Sequence, residues 1–339
     1  MALKNQYKVQ GKTMTARIAG IGAYVPETIV TNDDLAKIVE TSDEWIASRT
    51  GIKTRYISTK EETSDLAAEA SRRALEAAGV RPEELDLIIL GTSSPDCNYP
   101  SGACQVQAKI GAVNAVAFDV SAACAGFIFA MNIVQGFFKS GIYRTALIIG
   151  AETLSKVTDW EDRSTCVLFG DGAGAAVLKN DDTGIMDLLM GSDGTRGDAL
   201  MCKSRTLGNF LTGTKPELGF MTMDGQEVFK FAVKRVPESI EALMKRNGIA
   251  KEDVKYYVLH QANERIVESV ARRLKEPMEK FPMTISRYGN TSTASIPLLL
   301  DDMLKRGMLE DGDRMILSGF GAGMTWGAVL MEWNMKENI

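Results

Sequence analysis

A single histidine, His260, stands among the 339 residues. That rules out an HExxH motif, a Cys/His zinc cluster and any site built on two imidazoles. Cysteine is scarce and unpatterned: Cys97, Cys104, Cys124, Cys166 and Cys202 form no CxxC spacing and are odd in number. Free thiols in a reducing cytoplasm fit this usage better than a disulfide framework. No uninterrupted apolar run is long enough for a membrane span. The richest segment, Cys124 to Ile142, is broken by Asn132, Gln135 and Lys139, side chains costly in a bilayer, so it reads as a buried helix. Residues 1–15 carry lysines but no apolar core, and read as a loosely ordered leader rather than a secretory signal. Neither charge sign dominates, with 39 Lys and Arg against 44 Asp and Glu and a net charge of −5. Nucleic acid and an anionic membrane are therefore not expected as main partners, although a local basic patch is compatible with this balance.

What is present is a globular composition, 45% hydrophobic and 24% charged, in a chain that can bury a large core. Helical patterns alternate with short Ile, Leu and Val runs. "SDLAAEASRRALEAAG" precedes "LDLIILG", and "IFAMNIVQGFFKSG" precedes "TALIIGAE". This alternation indicates α/β architecture with strands covered on both faces. The chain also repeats itself. "GVRPEELDLIIL", beginning at Gly79, aligns with "GIAKEDVKYYVL", beginning at Gly248, and the same offset puts Gly150 on Gly319. Two α/β halves of one topology follow, spanning 16–180 and 181–339, with the boundary at the turn-forming "DDTG". Sites in such proteins tend to lie between the halves, beyond strand ends.

Three polar residues fall at strand-to-helix junctions. Cys124, in "FDVSAACAGFIFAM", follows a strand and opens a helix, where the dipole and unpaired N–H groups can lower a thiol pKa. On composition alone a lone Cys flanked by alanines is more often a small buried core residue. His260 follows the apolar strand of "VLHQANERI", and Asn290 lies in "YGNTSTASIP", where a turn role is the default. By the repeat, Cys124 falls on Thr293 and Gly91 falls on His260. A nucleophile, a proton carrier and an amide donor are together the parts needed for thioester chemistry. Two glycine-rich stretches read as turns: "FGDGAGAAVL" lacks the P-loop Lys-Ser/Thr, and "GFGAGMTWG" follows a strand where N–H groups can reach a substrate oxygen.

The segments "TSDEWIASRTGIKTR", "DVSAACAGF", "FGDGAGAAVL", "HQANERI", "GNTSTASIP" and "GFGAGMTWG", in this order, resemble β-ketoacyl-acyl carrier protein synthase III, the initiating condensing enzyme of the thiolase superfamily. The resemblance runs from about Arg17 to Trp333. It implies the thiolase-like duplicated five-layer α/β/α/β/α fold, a homodimer, and an acyltransferase that condenses a short acyl-CoA, acetyl-CoA foremost, with malonyl-acyl carrier protein. Fatty acid biosynthesis would begin with that step. Cys124 is then the acylated nucleophile, His260 and Asn290 stabilise condensation, and the N–H groups of Cys124 and Ala322 form the oxyanion hole. No cofactor or metal is implied, since the CoA thioester is itself a substrate.

The resemblance also assigns binding residues. Trp45 and Arg163 would sandwich the CoA adenine and Arg49 would meet its phosphates, with Thr41 grouped in the same site; Thr41 and Glu44 have capping-box spacing. Tyr99, Phe169, Phe229 and Phe320 would shape the acyl pocket, Tyr99 from the partner subunit. Lys230, Arg265, Arg272 and Arg273 would dock the acidic acyl carrier protein, although such charges on a helix are ordinarily a solvated face. Ala322 departs from the glycine of many relatives, and Tyr99 from their Phe. Two other readings are a related ketosynthase of secondary metabolism and a non-catalytic acyl-CoA binding protein.

Overall fold

A computed structural model describes residues 14–335. Most of the leader expected over residues 1–15 lies outside that range, and its last residue is corrected: Thr15 opens a strand. The Thr15 side chain is buried, donating to the carbonyl of Ile185 at 2.5 Å.

Among the described residues, nine strands form the two main sheets. The first contains β1 (Thr15–Tyr24), β4 (Leu87–Gly91), β5 (Val116–Val120), β6 (Thr145–Glu152) and β7 (Gly172–Asp181), in the order β1-β7-β6-β4-β5. The second contains β8 (Ile185–Ser192), β11 (Tyr256–Leu259), β12 (Arg314–Gly321) and β13 (Thr325–Glu332), in the order β11-β12-β13-β8. In each sheet a parallel pair, β4/β6 or β11/β12, leads into antiparallel pairing, β6/β7/β1 or β12/β13/β8. Two ribbons complete the strands: β2 (Ile29–Thr31) with β3 (Thr54–Tyr56), and β9 (Leu200–Cys202) with β10 (Met221–Met223). Continuous apolar runs such as "LIILG" in β4 are buried along their whole length, because helices cover both faces.

Three helical layers alternate with the sheets. The outer face of the first sheet packs on α3 (Thr63–Ala78) and α4 (Gly102–Ile110). The outer face of the second packs on α7 (Gly225–Asn247) and α8 (Glu264–Leu274). Between the sheets lie α5 (Gly126–Lys139) and α10 (Ser295–Lys305), around the largest core. Five layers result, and the buried helix expected over 124–142 is corrected to Gly126–Lys139: Cys124 lies in the turn before it, and Ile142 beyond its end is exposed. Gln135, one of its polar interruptions, is satisfied inside by the N–H of Ala16 at 2.7 Å. Short helices α1 (Asn32–Leu35), α2 (Asp43–Thr50), α6 (Arg163–Cys166) and α9 (Ile285–Tyr288) share a smaller core through Leu35, Ile46, Cys166 and Ile285.

The sequence repeat is visible element by element. Helices α3 and α7 both end on a left-handed glycine, Gly79 at φ 58° and Gly248 at φ 64°, where only glycine avoids a Cβ penalty. Strands β6 and β12 correspond end to end. So do the 3₁₀ turns Ala123–Ala125 and Ser292–Ala294, each followed at once by a central helix.

Candidate active site

The two 3₁₀ turns meet between the sheets, each entered by a strained residue. Ala123 has φ 45° and Ser292 has φ 48°, left-handed values rare outside glycine. They border a cavity of about 600 Å³ lined by Cys124, His260 and Asn290 together. Cys124 lies in the turn just ahead of α5 and is 7% exposed. The β12–β13 hairpin presses against it. A Cβ on Gly321 would stand 2.6 Å from the Cys124 nitrogen, so glycine is required there. Thr325 Oγ1 ties the hairpin down by donating to the carbonyl of Ala122 at 2.9 Å.

The lowered thiol pKa expected at a helix start is not what the enclosed site gives. Burial pushes the Cys124 thiol up to about 12, and the Ser292 hydroxyl only partly offsets this. Desolvation wins because the sulfur is enclosed, and α5 itself begins two residues later.

His260 extends the β11 ladder, its N–H donating to the carbonyl of Ser318 at 2.8 Å. Its Nδ1 lies 2.7 Å from Ser295 Oγ, which also accepts from the N–H of Gln261. Ser295 donating to Nδ1 would leave the proton of the neutral ring on Nε2. Burial lowers the His260 pKa to about 3, so the ring is neutral at working pH. Phe320 holds it edge-on at 5.2 Å. Asn290 is anchored through its backbone, accepting from Gly170 and donating to Leu168. Its Oδ1 accepts from the N–H of Ser292 at 2.9 Å, which orients the amide and leaves the NH₂ group as the donor available to the cavity.

The same cavity is lined by Trp45 and Arg49 of α2. The guanidinium of Arg49 lies 4.6 Å from the Trp45 ring centre and that of Arg163 lies 5.0 Å from it. The N-cap of α2 is Ser42, which accepts from the N–H of Trp45, so the Thr41–Glu44 capping box is corrected. Counting from Ser42, the third residue is Trp45, which cannot return the bond. Thr41 is not in the cavity lining, and its hydroxyl is buried without a partner.

Comparison with known proteins turns this geometry into a family assignment. Residues 118–194 match the model of 3-Oxoacyl-[acyl-carrier-protein (ACP)] synthase III, and residues 244–333 match its C-terminal model. Beta-ketoacyl-[acyl-carrier-protein] synthase III of Clostridium acetobutylicum is 51% identical over 321 residues, covering 94% of this chain and 99% of the relative. The chain belongs to the β-ketoacyl-acyl carrier protein synthase III family. The Xylella fastidiosa enzyme of the same name is 48% identical over 324 residues. Among solved structures, the Aquifex aeolicus 3-oxoacyl synthase III superposes with TM-score 0.87 at 44% identity, over 94% of this chain and 100% of that one. A priming β-ketosynthase of a polyketide pathway superposes with TM-score 0.88 at 34% identity, over 97% and 99%. The fold is therefore thiolase-like, and the protein is a condensing acyltransferase of fatty acid initiation. That sets aside the non-catalytic reading.

The remaining family-implied residues divide. Phe169, Phe229, Phe320 and Ala322 line the cavity. Tyr99 does not, being 86% exposed on its own subunit. Lys230, Arg265, Arg272 and Arg273 are exposed on α7 and α8. Lys230 pairs with Glu227 at 2.8 Å, and Arg273 donates to the carbonyl of Val233.

Sequence reasoning missed Ser292, Ser295 and Glu152. The two serines lie inside the "GNTSTASIP" motif but carry no signal of their own. Glu152 had one: it is a lone carboxylate ending the apolar strand "TALIIGAE".

Proposed function

We propose that Cys124 takes the acyl group of a short acyl-CoA, acetyl-CoA foremost, and passes it to malonyl-acyl carrier protein. The sulfur attacks the thioester carbonyl, CoA leaves, and the thiol proton departs with the CoA thiolate. The N–H groups of Cys124 and Ala322 receive the developing oxyanion, worth about 3 kcal/mol per donor in acyl transfers. Malonyl thioester then binds with its carbonyl oxygen against His260 Nε2–H and the Asn290 NH₂. As the bond to the carboxylate breaks and CO₂ leaves, the electron pair of that C–C bond forms an enolate that both donors stabilise. The enolate carbon attacks acyl-Cys124, giving a 3-oxoacyl thioester and freeing the sulfur. A neutral imidazole suits this role, since it donates without adding a buried charge.

The observation carrying this reading is that Cys124, His260 and Asn290 line one cavity. Its lining also includes Trp45 and Arg49, suited to a nucleotide base and phosphates, with Arg163 over the same ring. Arg163 is also tied to the Glu40 carbonyl at 2.8 Å. Primer selection falls to Phe169, Phe229 and Phe320, with Met201, Met221 and Met223 beside them. Exposed Arg265 and Arg272, seven positions apart on α8, together with Lys230 and Arg273 offer a basic dock for the acyl carrier protein.

A homodimer is supported by two features. Apolar β5 is an edge strand with Val116 49% exposed, and the loop between β9 and β10 exposes Leu207, Phe210 and Leu211. In such a pair Tyr99 would reach the partner's acyl pocket. Five free cysteines support a cytoplasmic setting. Among the described residues, no helix is long and apolar enough to cross a membrane. The two sheets support reading 16–180 and 181–339 as separate halves.

Mass spectrometry after incubation with equimolar acyl-CoA thioesters tests the core of this reading. A single acyl adduct on Cys124, acetyl predominating, is expected, and Cys124→Ser should form none at the wild-type rate. An adduct on another residue would sink the assignment.

A further inference from the structure

Glu152 ends β6 directly beneath the nucleophile turn, and its side chain is fully buried. Among the described residues no Lys, Arg or His pairs with it, so a carboxylate there would lack a counter-charge. Isolated buried charges of that kind are strongly disfavoured. Its hydrogen bonds say how the site avoids one. Oε2 accepts from the N–H of Ser93 at 3.0 Å, Ser94 Oγ at 2.6 Å and Thr92 Oγ1 at 3.2 Å. Oε1 lies 3.0 Å from Thr293 Oγ1, which in turn lies 2.9 Å from the carbonyl oxygen of Ala123. Three oxygens in a row need two protons between them. The Thr293 hydroxyl supplies one, and only the carboxyl group can supply the other.

We propose that Glu152 is a positioning residue, held as a neutral carboxylic acid, whose proton acts through Thr293 on the Ala123 carbonyl to fix the turn that presents Cys124. The proposal rests on reading Cys124 as the nucleophile. Burial pushes the Glu152 pKa upward, in the same direction as the proton count.

Thr293 suits the task because it is buried and closely packed. It is the residue that the repeat puts in the place of Cys124, and glycines crowd it. A Cβ on Gly91 would meet its Cγ2 at 2.7 Å, and a Cβ on Gly150 would collide with its carbonyl oxygen. The bond it makes lands on Ala123, the strained residue at φ 45° whose carbonyl shares a peptide unit with the Cys124 N–H. Holding that carbonyl fixes the direction of the N–H assigned to the oxyanion hole. A neutral Glu152 also spares the sulfur a repulsive charge, since a carboxylate here raises the thiol pKa.

Glu152→Gln separates the acid from the carboxylate: its NH₂ donates to Thr293 while its oxygen accepts from Ser93 and Ser94. Cys124 acylation by acetyl-CoA should slow by about 100-fold in Glu152→Ala, the scale of a misplaced reacting group. Glu152→Gln should recover most of that loss. Wild-type protein at neutral pH should show the infrared carbonyl band of a buried protonated carboxyl, absent from Glu152→Gln. Thr293→Val should acylate slowly and Thr293→Ser should not, with near-ultraviolet circular dichroism reporting that both fold. If Glu152→Gln is as slow as Glu152→Ala, or the wild-type band is missing, Glu152 works as a carboxylate and the proposal is overturned. An acyl adduct away from Cys124 would instead count against the nucleophile assignment and leave the infrared band unaffected.

Discussion

His260 shows what enclosure does to one side chain. A free imidazole titrates near 6.5, whereas the buried ring titrates at about 3. Between these values the unfolded chain binds a proton that the folded chain refuses, so stability falls as pH drops below about 6.5 and keeps falling toward 3. Urea midpoints at pH 7 and pH 5 should therefore differ more for the wild type than for His260→Ala. The same variant should lose malonyl decarboxylation yet keep detectable acylation of Cys124. Loss of acylation alone would contradict the role given to the ring. Scarcity made this residue legible: one histidine leaves one candidate. The Cys124 thiol was read with the wrong sign, because a helix start is visible in a sequence while the walls that desolvate a sulfur are not. Glu152 was overlooked because its importance lies in Thr293 and Ala123, which reach it only in three dimensions.

Elements were legible where local rules act alone. Gly79 and Gly248 mark the ends of α3 and α7, and interrupted apolar spacing marks α5 as buried. The cap of α2 slipped by one residue, because Thr41 and Ser42 are both competent caps and backbone geometry chooses between them. At this scale α8 carries a functional prediction. Its buried face, Ile266, Val267, Val270 and Ala271, packs against the second sheet, leaving Arg265 and Arg272 outward. Arg265→Glu should therefore raise the KM for malonyl-acyl carrier protein several-fold while hardly changing that for acyl-CoA, since docking acts through exposed charge. Equal effects on both substrates would remove the dock from this helix. Stability should change by less than about 0.5 kcal/mol, as for other exposed sites.

The whole molecule is two copies of one layered unit, and the internal repeat disclosed that from sequence because strand and cap positions survived duplication. The edge left by β5 was not disclosed, since strand order depends on pairing across the sheet. If the proposed homodimer pairs along β5, Val116→Lys should shift the protein toward monomer in sedimentation and weaken primer binding, because charge on an edge strand opposes pairing and a lone subunit would lack the second copy's Tyr99. An unchanged dimer with normal primer affinity would place the interface elsewhere. The paired strained turns, Ala123 and Ser292, have a further consequence. Duplication handed this chain two equivalent seats on either side of a pseudo-twofold axis. One seat holds Cys124 and the other Thr293, whose hydroxyl lies against the carbonyl of Ala123, so in the proposed reaction a single subunit would work as a fused dimer in which one twin reacts and the other steadies it.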